Sequence, residues 1–210
     1  MSIIPDLINK QIDVEKAAGK VLADNAVLSE LLAGIQSPQD PTRYNSFKVI
    51  LFISEKHPGI LYPQWHLFEK MLESNNSYFK DIAIQIIANL TKIDTESRFE
   101  QLSDKYFGEL GSDKTMTAAH IASNAGKIVR AKPVLQSKIT DKLLHIDKIY
   151  HGKQTDLIKG HAIEAFSQYF GETIAKDKDL ILEFVSNEQV SRSPRTRKIA
   201  KDFLKKFGQE

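Results

Sequence analysis

The chain of 210 residues is 41% hydrophobic and 27% charged, the balance of a folded globular protein and not of a disordered one. Its formal net charge of +2 is too small to favour a polyanionic partner over the whole surface. The absence of cysteine excludes disulfides, thiol catalysis and cysteine-ligated metals, and it fits a reducing compartment. The stretch from Met1 to Asp6 has neither a basic region nor a long apolar run, so it does not read as a signal peptide. No window approaches the roughly 18 to 20 apolar residues that cross a bilayer. These features point to a soluble cytoplasmic protein without a membrane partner.

Residues 3–24 predict two short helices. Ile4, Leu7, Ile8 and Ile12 form one apolar stripe and Val14, Ala17, Ala18, Val21 and Leu22 another, punctuated by Gly19 and by Asp24 with Asn25. From residue 25 onward the pattern becomes helix pair after helix pair. The first pair is 26–35 and 42–56, separated by prolines at 38 and 41. The second is 61–72, with Pro63 in its first turn, and 78–92, with Ser77 as the expected N-cap. The third is 96–110 and 114–129, where Asp113 is the expected cap. The fourth is 133–150 and 155–170, and the fifth 179–186 and 194–207. No low-complexity linker interrupts the series, so a single domain over 1–210 is expected. It divides into a cap at 1–24 and units near 25–57, 58–93, 94–131, 132–171 and 172–210.

The second helix of each pair carries one recurring frame: a small residue followed at +3, +4 and +7 by apolar ones, the buried stripe of an α-helix. It reads Ser46 (Val49, Ile50, Ile53), Ala83 (Ile86, Ile87, Leu90), Ala118 (Ile121, Ala122, Ala125), Ala162 (Ala165, Phe166, Tyr169) and Ala200 (Phe203, Leu204, Phe207). The small residues are 37, 35, 44 and 38 positions apart, the period of a helical repeat. Three residues ahead stand Arg43, Lys80, Thr115, Lys159 and Arg197, so four of five are basic. One amphipathic pair cannot bury its stripe alone, and stacking of neighbours solves that problem.

This pattern resembles the HEAT repeat, with its nearest flavour in the phycobilisome-lyase-like HEAT proteins. Arg43 with Ser46, Lys80 with Ala83, Lys159 with Ala162 and Arg197 with Ala200 match the basic-to-small spacing. Asp40, Asp113 and Asp156 match the turn aspartate, whereas Asn76 and Ser193 occupy the other two turns and Thr115 replaces the cation of the third copy. The resemblance covers about residues 25–208. It implies an all-α, right-handed α-α superhelix, an armadillo-type solenoid of about five pairs with N-terminal capping helices. By analogy it also implies a scaffold or binding role, with the second helices lining a concave face.

With the frame buried, positions +2, +6 and +9 are expected on that concave face. The resulting partner-binding set is Lys48, Gln85, Asn89, Lys92, His120, Asn124, Lys127, Glu164 and Gln168. Its amides each offer a donor and an acceptor suited to a peptide backbone. The competing reading is a solvated helix face. The basic ladder at −3 (Arg43, Lys80, Lys159, Arg197) could meet phosphates, or each cation could reach a turn carboxylate in its own or the adjacent repeat, or its carbonyls. A second candidate surface is the run Arg192, Arg195, Arg197, Lys198, Lys201 and Lys205, which suits a polyanion and competes with the reading of a solvated end cap. An alkylpurine-type DNA glycosylase, also built from HEAT-like repeats, would need aromatic residues and a carboxylate on the concave surface, and the one tryptophan, Trp65, lies on a first helix. His120 and His161 show no carboxylate partner at ligand spacing, so no metal site is expected. No phosphate loop or nucleophile elbow occurs. The expected function is non-enzymatic protein binding or scaffolding without a cofactor. The alternative is nucleic-acid binding, related to DNA repair, through the basic C-terminal helix.

Overall fold

The computed structural model describes residues 2–9 and 11–208, and every regular element among them is helical. The chain forms two compact units, Met1–Ile93 and Asp94–Glu210.

The first unit contains α1 (Ile4–Leu7), α2 (Val14–Ala23), α3 (Asn25–Gly34), α4 (Asp40–Lys56), α5 (Pro58–Leu61), α6 (Trp65–Leu72) and α7 (Ser77–Leu90). Asp13 caps α2 by accepting from the Lys16 N–H, and Asp24 caps α3 through Ala26. Gly19 lies inside α2 and does not end it. The expected 61–72 helix is broken. Pro63 has no N–H to give to the preceding turn, so Tyr62–Gln64 tighten into a 3-10 turn and the regular helix begins at Trp65. Asn76, not Ser77, caps α7 by accepting from Tyr78 N at 3.0 Å. Helices α4 and α7 pack on one another, as do α2 and α4.

The second unit contains α8 (Arg98–Gly108), α9 (Thr115–Ala131), α10 (Gln136–Leu144), α11 (Ile146–Ile149), α12 (Thr155–Phe166), α13 (Ala175–Asn187) and α14 (Pro194–Phe207). Helix α8 is capped from upstream: the Asp94 carboxylate accepts from the N–H groups of Arg98 and Phe99, while Ser97 adopts the left-handed conformation with φ of 55°. Asp113 does not cap α9. Lys114 occupies that position, and Asp113 stays exposed and pairs with it at 3.2 Å. The expected 133–150 helix is interrupted where His145 leaves helical torsions and its Nδ1 lies 2.8 Å from the Asp141 carbonyl. Helix α12 packs against α9 on one flank and α14 on the other, and α10 packs against α13.

The recurring frame is the core. Every frame residue is buried except Leu204, which is half-buried. In the degenerate N-terminal copy Ala17, Ala18 and Val21 are buried and Leu22 is exposed. Two contacts in the second unit depend on a missing side chain. A Cβ built on Gly126 of α9 would lie 2.7 Å from the Ala165 carbonyl of α12, and one on Gly160 of α12 would lie 2.6 Å from Thr196 Oγ1 of α14. Aromatic rings close both ends of this unit. Phe99, Tyr106 and Phe107 meet edge to face, and Phe170, Phe203 and Phe207 cluster with centroids 4.8–5.2 Å apart.

Polar bonds within each unit recur at the spacing of the sequence repeat. Asn45 donates to the carbonyls of Leu7 and Asn9, 38 and 36 residues away, and Asn89 donates to Ser54, 35 away. Lys132 donates to the Asp94 carbonyl across 38 residues, Ser137 to Asp177 across 40, and Thr196 to the Asp156 carbonyl across 40.

Ala118 is fully buried on α9, so Ala118→Asp places a carboxylate without a cation in a helix–helix contact. That substitution is predicted to cost several kcal/mol in denaturant unfolding, about the price of an unpaired buried polar group. Gly126→Val is predicted to destabilise by about 1–3 kcal/mol through overpacking, although helix propensity alone predicts a gain.

Candidate functional site

Three of the repeated cations are held by their own surroundings. Arg43 pairs with Asp40, donates to the Ser37 carbonyl at 3.1 Å and lies 5.0 Å from the centre of the Tyr78 ring. Lys159 sits 2.8 Å from both Asp147 and Glu188. Burial alone would lower its pKa, but hydrogen bonds to these two carboxylates prevail and raise it. Arg197 donates to the carbonyls of Ser191 at 2.7 Å and Arg192 at 3.2 Å. In the third copy Thr115 substitutes a hydroxyl contact with Tyr150 at 3.0 Å. Each of these cations and this hydroxyl therefore fixes a turn or a neighbouring element.

The amide row is not an open reading surface. Asn89 in the first unit is 5% exposed and donates to Ser54 Oγ at 2.7 Å. Asn124 in the second unit is 8% exposed and donates to the His120 carbonyl at 2.9 Å. Gln85 and Gln168 are half-buried and reach the carbonyls of Asp81 and Glu164. The position +6 lies beside the neighbouring helix, and close packing there draws the amides inward. Of the remaining members, Lys92 is exposed, and Lys48, His120, Lys127 and Glu164 are half-buried. Lys48 lies 4.2 Å from the centre of the exposed Tyr44 ring.

The second unit brings members of the two expected surfaces together. Arg195 of α14 binds both carboxylate oxygens of Glu164 on α12, at 2.7 and 2.9 Å, and donates to His161 Nε2 at 3.3 Å. A guanidinium only donates, so Nε2 accepts and the neutral ring carries its proton on Nδ1. That atom lies 3.2 Å from Glu164 Oε2, close in charge terms but without hydrogen-bond geometry. Burial and then the Arg195 charge hold His161 below the usual imidazole range, against the opposing pull of Glu164. His161 therefore does have a carboxylate neighbour, contrary to the sequence expectation. No group of three His, Asp or Glu side chains among the described residues is arranged to hold a metal.

Beside this cluster a groove of about 230 Å³ runs between α12 and α14. Ile163, Ile199, Phe203 and Phe207 form its floor, and Glu164, Ser167, Asp202 and Lys206 its rim. Glu164 belongs to the expected inner-face set, and Asp202 and Lys206 hold the same +2 and +6 positions in the fifth copy, but the floor does not follow from those positions. Ile163 and Ile199 flank the frame at +1 and −1, so helical periodicity held the missing signal. The basic run divides: Arg195 and Arg197 are engaged, whereas Arg192, Lys198, Lys201 and Lys205 are exposed.

A second polar centre escaped the sequence entirely. Lys132, at the end of α9, is buried and donates to the Asp94 carbonyl at 2.7 Å, with Asp94 Oδ2 at 3.0 Å and Glu100 Oε1 at 3.1 Å. Burial pushes the Lys132 pKa down and the two carboxylates more than restore it. No helix of the described residues is long and apolar enough to cross a membrane.

No family model matches the chain, and no curated protein does. Among solved structures, it is similar to the crystal structure of an engineered protein. The TM-score is 0.58 at 14% identity, over 93% of this chain and 87% of that one. A likeness at this identity concerns the fold alone.

Lys132→Met leaves the fully buried Asp94 carboxylate without its cation and is predicted to lower stability by about 3–5 kcal/mol in urea melts. Because His161 titrates below its unfolded value near 6.5, the unfolded chain binds more protons there as the pH falls. His161 thus stabilises the fold fully above about pH 6.5 and loses that contribution as the pH falls through its lowered folded value. Melting curves between about pH 7 and pH 5 should be flatter for His161→Gln than for the parent chain.

Proposed function

We propose that this chain is a HEAT-like, right-handed α-solenoid acting as a non-enzymatic protein-binding or scaffold module. Its partner seats on the face made by the second helices. The repeat-length spacing of the polar bonds inside each unit and the burial of the recurring frame support the repeat reading. The observation that carries the binding role is the α12–α14 groove. An apolar floor inside a polar rim is the anatomy of a protein contact in which a few anchors supply most of the energy. In this reading Glu164 keeps its place at the contact, whereas Asn89 and Asn124 act within their own units as structural amides.

A second reading, nucleic-acid binding through α14, is favoured by the exposure of Lys198, Lys201 and Lys205 at positions that share one side of the helix. The two readings separate experimentally. The floor variant Ile199→Glu should abolish retention of partner proteins from native lysate while helicity by circular dichroism is unchanged. Duplex and single-stranded DNA should give no salt-sensitive anisotropy change with the parent protein. Retention of the same partners by Ile199→Glu would contradict the groove, and tight salt-dependent DNA binding would select the second reading.

A further inference from the structure

We propose that the occupant of the α12–α14 groove is an acidic amphipathic segment of a partner protein. The inference rests on the groove being the contact face, and it adds the chemistry of what fills it. The floor carries no charge: Ile199 is half-buried and presents its apolar side chain above the buried Ile163, Phe203 and Phe207. Of the two carboxylates on the rim, Glu164 is already paired with Arg195, whose Nη2 donates to both of its oxygens. Asp202, the other rim carboxylate, stands one helical turn from Lys198 on one side and from Lys206 on the other.

The exposed charge around the groove on α14 is mostly cationic, with Asp202 the acidic residue among Lys198, Lys201, Lys205 and Lys206. On the 3.6-residue period, Lys198 and Lys205 stand about a quarter turn outward from Ile199, Asp202 and Lys206 on α14. Lys198, Lys201 and Lys205 are exposed and recur at three- and four-residue spacing, where like charges repel one another. Arg192 adds an exposed cation just ahead of the helix. A helix lying in the groove would bury its apolar stripe on the floor and hold its flank over Lys198 and Lys205. Carboxylates on that flank would relieve the repulsion and guide the approach. A nucleic-acid backbone would meet the same cations but has nothing to place on the isoleucine and phenylalanine floor. That floor is what favours a protein.

The test uses the full chain and two fluorescein-labelled peptides of about 18 residues, roughly five helical turns. Both carry the same leucine stripe; one has glutamates elsewhere and the other lysines. In anisotropy titrations at low salt the acidic peptide should bind about tenfold or more tighter, and the difference should shrink as salt rises. Replacing Lys198, Lys201 and Lys205 together by Gln should erase the contrast between the peptides. Ile199→Glu should weaken both, and Ser167→Trp, which fills the groove from its rim, should do the same without a charge at the floor. Equal binding of the two peptides, lost in Ser167→Trp, would overturn the acidic preference and leave the groove standing. Binding of neither peptide would overturn the groove itself. Binding of the acidic peptide that survives both groove variants and is displaced by duplex DNA would assign the cations to nucleic acid and overturn the inference.

Discussion

Close approach of neighbouring second helices through small side chains is the constraint on which the second unit depends. Ala118, Ala122, Ala125 and Gly126 on α9 and Ala162 and Ala165 on α12 are all buried, and at Gly126 no room remains for even a methyl group. Dispersion between tightly apposed backbones and the absence of voids make such a seam intolerant of added volume. The seam also determines the polar residues beside it. Asn124 and Gln168 fall in the shadow of the opposite helix and satisfy themselves on the carbonyls of His120 and Glu164. Between α12 and α14 the small contact occurs only near the start, at Gly160 and Thr196. Further along stand Phe203 and Phe207, packed on Phe170, and there the groove remains.

Charge follows the same division between structural and available groups. Of the cations repeated with the frame, the half-buried Arg43, Lys159 and Arg197 are drawn to turn carbonyls and carboxylates, because an uncompensated charge away from water is costly. Lys132 extends that rule, joining the end of α9 to the Asp94 turn that also caps α8. Exposed pairs such as Lys114 with Asp113 contribute little by comparison. The cations with most freedom to meet a partner lie on the outer side of α14, away from the frame that produced the repeat.

Much of the architecture was legible in the residues because the frame has helical periodicity and helix-breaking punctuation. Helix α14 begins at Pro194 and ends at Phe207 as expected, and Ala83, Ala118 and Ala162 lie at the centre of buried seams. Boundaries failed where local chemistry admits two solutions. Asn76 and Ser77 are both good caps, and Asp94 reaches α8 across three intervening residues that no capping pattern describes. The candidate site was half legible. Periodicity placed Glu164, Asp202 and Lys206 on one face, but whether +6 is open depends on how near the next helix stands, which single-helix periodicity does not encode. The pairing of Arg195 with Glu164 joins residues 31 apart and required the fold.

Amide hydrogen exchange of the isolated protein, read residue by residue, tests the seam most directly, because protection reports how tightly each helix is held in place. Amides of α9 and α12 near Ala122, Gly126 and Ala165 should exchange slowest in the second unit and open together, with those of α13 exchanging sooner. Exchange of α9 before α13, or independent opening of α9 and α12, would contradict a unit organised on that contact.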